Sequence, residues 1–211
     1  MALAHDIVYD LIKIAYPEAP VSISINLCYF KALNIWGRLP AWFADLWYNE
    51  RVIRLFLSKM DYWGLSYYAY VPMNPLPITE LDHPGKLARL HIRHDNMWGY
   101  WPQGLGILLR RVYRRRTMPV IILENGICTD DPQQRIRSIQ EYLQVIHEAM
   151  QKGVDVRGYI HWSTWDNFEW HLGPSYRFGL VHVNVFTKER SMTGAGLFYA
   201  AIARDNALNI E

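Results

Sequence analysis

A chain of 211 residues with 51% apolar content holds enough material for one sizeable core and requires no more than one domain. A net charge of +2 is too small to imply a nucleic-acid partner, and no apolar run approaches the length of a membrane span. Two cysteines, Cys28 and Cys128, show no metal-ligand or disulfide-framework spacing, so a cytoplasmic protein with no metal and no cofactor is expected.

Along the chain, Ala4, Ile7, Val8, Leu11, Ile12 and Ala15 recur at helical spacing. Asp6, Asp10 and Lys13 lie opposite and Pro17 ends the pattern, which predicts an amphipathic helix. Val21 to Leu27 reads as a short strand, residues 28–48 as irregular and aromatic, and Val52 to Met60 as helical. Asp61 to Val71 reads as a strand with Gly64, Ser66, Tyr68 and Tyr70 on one side and Trp63, Leu65, Tyr67 and Ala69 on the other. Residues 72–102 carry five of the eleven prolines without a clear period, which predicts a long loop over a site.

Leu105 to Tyr113 is predicted helical, and the basic run Arg110, Arg111, Arg114, Arg115 and Arg116 reads as its solvated face. Next come Pro119 to Gly126, where four apolar residues between proline and Asn-Gly predict a parallel strand buried on both faces. Glu124 ends that strand. A carboxylate there is costly unless it is paired or used, which marks it for chemistry. Asp131 and Pro132 form an N-cap and first-turn pair, followed by the stripe Ile136, Ile139, Leu143, Ile146 and Met150 up to Gly153. Val156 to Ser163 is a strand, an aromatic run extends through Trp170, and a helix of about Gly194 to Arg204 closes the chain. Strands alternating with helices imply an α/β fold of parallel strands with right-handed crossovers. Aromatic content is 14%, with nine Trp and fourteen Tyr, several of them beside acids and amides at strand ends, as in sugar-binding sites.

Glu124-Asn125-Gly126, the run His161-Trp162-Ser163-Thr164-Trp165-Asp166-Asn167-Phe168-Glu169-Trp170, and Arg177-Phe178-Gly179-Leu180-Val181 together resemble the C-terminal signatures of family 1 glycoside hydrolases. Weaker likeness at Asp61 to Tyr68 and Asp95 to Gly99 extends the resemblance over nearly the whole chain. Those relatives are retaining β-glycosidases on a (βα)8 TIM barrel, so the resemblance implies a β-glucosidase or β-galactosidase type of activity. It makes Glu124 the nucleophile and Tyr68 the residue that orients it. Trp162 becomes the floor under the sugar, Glu169 and Trp170 the outer hydroxyl contacts, and Phe178 a further substrate contact, while Asn167 and Phe168 are scaffold. An acid at 169 disfavours 6-phospho sugars. Ser66 replaces the family's usual Asn and Leu123 its usual Thr.

One departure is large: the Thr-x-Asn-Glu-Pro motif bearing the family's acid/base glutamate does not occur. Asn49-Glu50 is followed by Arg and begins a helical pattern, which makes it a poor substitute. The resemblance therefore implies half of a barrel, strands five to eight with their helices, filling residues 1–211 as one domain. Expected partners are a β-glycoside and either further copies of the chain or a separate N-terminal half. The competing expectation is a non-enzymatic half-barrel, a sugar-binding remnant or a self-associating scaffold.

Overall fold

The computed structural model describes residues 1–74 and 84–208. In chain order the elements are α1 (Ala2–Ala15), β1 (Ser24–Asn26), β2 (Tyr29–Ala32), α2 (Arg38–Asp45), α3 (Arg51–Phe56), β3 (Trp63–Tyr67) and β4 (Tyr70–Met73). Then follow α4 (Pro84–Arg89), α5 (Pro102–Arg115), β5 (Val120–Asn125), α6 (Pro132–Gln151), β6 (Val156–His161), β7 (Val181–Val183), β8 (Arg190–Met192) and α7 (Gly194–Asp205).

The main sheet has the order β1-β3-β5-β6 with every pair parallel. That is a partial (βα)8 barrel. Trp63, Leu65 and Tyr67 of β3 and Val120 and Ile122 of β5 point into one apolar core with Leu105, Leu108 and Val112 of α5 and Tyr142 and Ile146 of α6. The opposite face is only partly covered. Ile121 and Leu123 of β5 are half-buried and Ile160 of β6 is 53% exposed, so the expectation of β5 buried on both faces holds for one face only. The cause is the open arc: β1 and β6 each have a single neighbour, and among the described residues no strands stand opposite to fill the interior.

Register places the chemistry. Leu65 pairs with Ile122, but Ser66 pairs with Glu124, so Leu123 is an extra residue that turns Glu124 level with Ser66. Ser66 spends its hydroxyl on Ser24, 2.8 Å away.

Other expectations change. The segment of 61–71 is two strands, because β4 leaves the main sheet after Tyr67 to pair with β2, and the side-to-side alternation ends there. Residues 28–48 are ordered: β2 is followed by a helical turn at Ile35–Gly37, by α2 and by a π-helical turn at Leu46–Glu50 that runs straight into α3. Pro40 sits in the first turn of α2, where a missing N–H leaves no helical bond unmade, so it does not stop the helix. The connection at 72–102 contains α4, and its residues 75–83 lie outside the described residues. A β7–β8 hairpin intervenes before α7.

The basic run is not simply a solvated face. Arg111 donates to Asp45 at 2.7 Å and to Glu50 at 3.2 Å, Arg54 donates to Glu50 at 2.9 Å, and Arg115 also pairs with Glu50. Glu50 is a buried acid tied up by arginines, and Asn49 clamps the Cys28 backbone, accepting from its N–H at 3.1 Å and donating to its carbonyl at 2.7 Å.

The largest surprise is α1. An amphipathic helix ordinarily turns its apolar stripe to the core. Here Leu3, Ile7, Val8, Leu11 and Ile14 are 51 to 77% exposed. The polar side faces the body instead: Tyr9 donates to Asp61 at 2.7 Å and Lys13 lies 2.7 Å from the same carboxylate.

Candidate active site

Glu124 projects from the C-terminal end of β5, where barrel folds collect their chemistry. Tyr68, just past β3, donates its hydroxyl to Glu124 Oε2 at 2.8 Å. Burial, and then this bond to a carboxylate, raise the Tyr68 phenol far above its usual range, so it stays protonated and remains a donor. The next residue faces the other way. Asn125 is fully buried, donates to the Tyr67 carbonyl at 2.6 Å and accepts from Tyr159 at 3.0 Å, which fastens β3, β5 and β6 together under the site. Gly126 is required because a Cβ there would collide with the carbonyl oxygen of Trp162.

Trp162 follows β6 directly, its N–H bonded to the Asn125 carbonyl at 2.9 Å. The loop beyond is anchored to residues 177–182. Asp166 accepts from Gly179 N–H at 3.0 Å and lies 2.7 Å from His182 Nδ1, while Leu180 N–H donates to the Ser163 carbonyl at 2.9 Å. Arg135 of α6, itself buried, donates to the carbonyls of Thr129 at 2.6 Å and of Arg177 and Gly179 at 2.9 Å. These bonds hold Phe178, 1% exposed, edge-on behind Tyr68 with ring centres 6.2 Å apart. Asn167 donates to Glu169 Oε1 at 2.6 Å, and Trp170 stands 85% exposed at the rim.

All six residues singled out from the sequence, Glu124, Tyr68, Trp162, Glu169, Trp170 and Phe178, border one cleft of about 610 Å³, within the usual size of small-molecule sites. Asn167 is bonded to Glu169, and Phe168 is exposed. Sequence reasoning did not assign Asn26, Cys28, Tyr48, Met97, Trp98 and His171, which also line the cleft. A signal existed for Trp98. Asp95 accepts from the N–H groups of Met97 at 2.7 Å and Trp98 at 2.6 Å and from Cys128 N–H at 2.9 Å, so the Asp-Asn-Met-Trp-Gly run is a turn that presents Trp98 5.5 Å from Tyr68. Burial pushes the Cys28 thiol up to about 11, which keeps it a poor nucleophile despite its place in the wall. Among the described residues no group of three or more His, Cys, Asp or Glu is placed to hold a metal ion, and no helix is long and apolar enough to cross a membrane.

Parallel strands in an open arc, with a hydrogen-bonded carboxylate and tryptophans at their C-terminal mouth, define a partial (βα)8 barrel. The chain belongs to glycosyl hydrolase family 1, whose family model matches residues 44–208. It is similar to a beta-galactosidase of Sulfolobus acidocaldarius, 31% identical over 99% of this chain and 47% of that protein. It is also similar to beta-glucosidase A of Thermotoga maritima, 33% identical over 72% of this chain and 36% of that one. The crystal structure of the hyperthermophilic beta-glucosidase from Pyrococcus furiosus superposes with a TM-score of 0.87 at 30% identity, covering 99% of this chain and 46% of that chain. The chain thus spans about half the length, or less, of the relatives it matches.

Proposed function

We propose that this chain, as one partial-barrel domain, is the nucleophile-bearing half of a retaining β-glycosidase acting on β-glucosides or β-galactosides. The observation that carries the reading is the 2.8 Å bond from Tyr68 to Glu124 Oε2 in the cleft bordered by Trp98 and Trp162. Tyr68 occupies one carboxylate oxygen and leaves the other to attack the anomeric carbon. As that ester bond forms, the bond to the leaving oxygen breaks, and water later opens the glycosyl-enzyme with retained configuration. Trp162 offers an indole face to the sugar ring, and Phe178 stiffens the wall behind Tyr68. Asn167 fixes one oxygen of Glu169, leaving the other to accept from sugar hydroxyls, with Trp170 beside it.

Retention requires a second carboxyl group about 5 to 5.5 Å from the nucleophile to protonate the leaving oxygen. Among the described residues the one other carboxylate bordering the cleft is Glu169, already engaged by Asn167. In this reading the acid comes from outside the described residues, on a second copy or a separate N-terminal half that also closes the sheet. Without it each chemical step loses about 100-fold to 10,000-fold. An activated aryl glycoside removes that need. Incubating the chain with a 2-fluoro-glucoside bearing a dinitrophenolate leaving group and measuring intact mass should show one stable fluoroglucosyl adduct, absent from Glu124→Gln. No adduct on the native chain overturns the proposal. The shortage of carboxylates also favours a second reading, a sugar-binding half-barrel without turnover, which predicts sugar binding in calorimetry and no adduct.

A further inference from the structure

The outer side of the turn at Ile35–Gly37, of α2 and of the π-helical turn after it carries a stripe that none of the described residues covers. Trp36, Leu39, Trp42, Phe43 and Trp47 recur on successive turns and are 60 to 74% exposed. The inward side is fully served by Ala41, Asn49, Ile53 and Phe56, so the stripe is not a misplaced core. Beside its C-terminal end lies a groove of about 360 Å³ lined by Phe43, Leu46, Trp47, Arg51, Arg54 and Leu55.

We propose that this stripe is an isologous interface between two copies of the chain, with the helices antiparallel and Phe43 close to the two-fold axis. Three observations select a second copy. First, the patch contains both knob and hole at symmetric distances. Trp36 lies seven residues before Phe43, and the groove is centred about seven residues after it, so a two-fold operation at Phe43 sends each Trp36 into the other copy's groove. Second, four aromatic side chains of about 150 to 250 Å² each, roughly two thirds exposed, together with Leu39 offer about 600 Å². A stable pair needs about that much from each partner. Third, the rim is basic at Arg38, Arg51 and Arg54. Arg51 stacks on Trp47 at 4.5 Å and Arg54 is bonded to Glu50, so these heads are partnered within the chain and leave the apolar centre to carry the contact.

Sedimentation velocity on the full chain over the micromolar range, with circular dichroism as the fold control, tests the assignment. The native chain should associate, and Trp36→Glu with Trp42→Glu should raise the dissociation constant by about 100-fold or more, since buried tryptophans dominate such contacts. Leu11→Glu on α1 should leave the constant unchanged. Raising salt should tighten the pair by screening like-charged rims, the reverse of attachment to an anionic membrane. Phe43→Cys should form a disulfide-linked dimer in air where the native chain forms none, which keeps the test alive if the glutamate variants unfold. A native chain that stays monomeric, a dimer sensitive to Leu11→Glu but not to the tryptophan changes, failure of Phe43→Cys to cross-link, or binding to anionic vesicles in place of dimerisation would each overturn the proposal.

Discussion

Helices α1 and α6 carry nearly the same kind of sequence pattern and meet opposite fates. Both repeat aliphatic residues at helical spacing with polar residues opposite. In α6, Ile139 and Ile146 are buried, one beside α7 and Leu180, the other in the main core. In α1 the aliphatic stripe faces outward, and Tyr9 and Lys13 hold the helix to Asp61 from its polar side. Amphipathic spacing therefore establishes that a helix has an apolar partner without establishing that the partner belongs to the same chain. Helix α6 lies between α5 and α7 and finds its partners on both sides. Helix α1 precedes the edge strand β1 and packs against α3.

The sharpest way to break that comparison is to cut into the stripe of α6. Ile139→Ala removes a fully buried side chain between Leu180 and Ala195. Denaturant unfolding should show a loss of about 2 to 5 kcal/mol, the usual range for such truncations. A loss below about 0.5 kcal/mol would mean that the two helices are equally unpartnered.

The dry side of the molecule should also answer to acid. His161 ends β6 against Tyr159 and Tyr199, and burial, reinforced by the positive charge of Arg135, pulls its imidazole down to about 3 from an ordinary 6.5. The unfolded chain takes up this proton near pH 6.5, whereas the folded chain resists it until about 3. Between those values the unfolded state holds more protons, so stability rises with pH, by up to about 1.4 kcal/mol per pH unit from this group. Urea midpoints measured from pH 4 to pH 7 should rise steeply for the native chain and less steeply for His161→Phe. Equal slopes would show that His161 is not held neutral by its surroundings.

The four strands of the main sheet were legible because a parallel sheet writes β-branched runs between turn residues, as at Pro119 to Gly126. The site was legible because Glu124, Trp162, Glu169 and Phe178 lie in three contiguous motifs. What could not be read depended on surroundings. Local i,i+4 spacing offers Glu50 only Arg54; that Arg111 and Arg115 of α5 also consume it could not be read, because those partners are distant in sequence. The helical stretch at 35–50 was hidden because its large side chains point outward, so its pattern lacked the polar face that ordinarily frames an apolar stripe. The extra residue at Leu123, which aims Glu124, is a matter of pairing with β3 and leaves no mark on its own strand. Trp98 entered the cleft through a turn built by Asp95, a short-range device that the sequence displayed without declaring its target.

The smallest expected effect is the most informative about α1. Leu11→Gln places an amide where a leucine is already 59% exposed, so in this chain alone it should change the unfolding free energy by no more than about 0.5 kcal/mol. The same substitution should matter once the open edge is covered. Full burial of a leucine is worth about 1.5 to 3 kcal/mol, so it should weaken association with a barrel-completing partner by roughly 10- to 150-fold. Titrating native and Leu11→Gln chains with a polypeptide carrying the first four strand–helix units of a family 1 enzyme, and reading both affinity and turnover of an unactivated β-glucoside, separates two cases. If turnover appears with the native chain and falls in step with affinity in the variant, the apolar stripe of α1 belongs to that junction. If Leu11→Gln destabilises the lone chain by 2 kcal/mol or more, the helix packs through its aliphatic side and the reversal seen here is wrong.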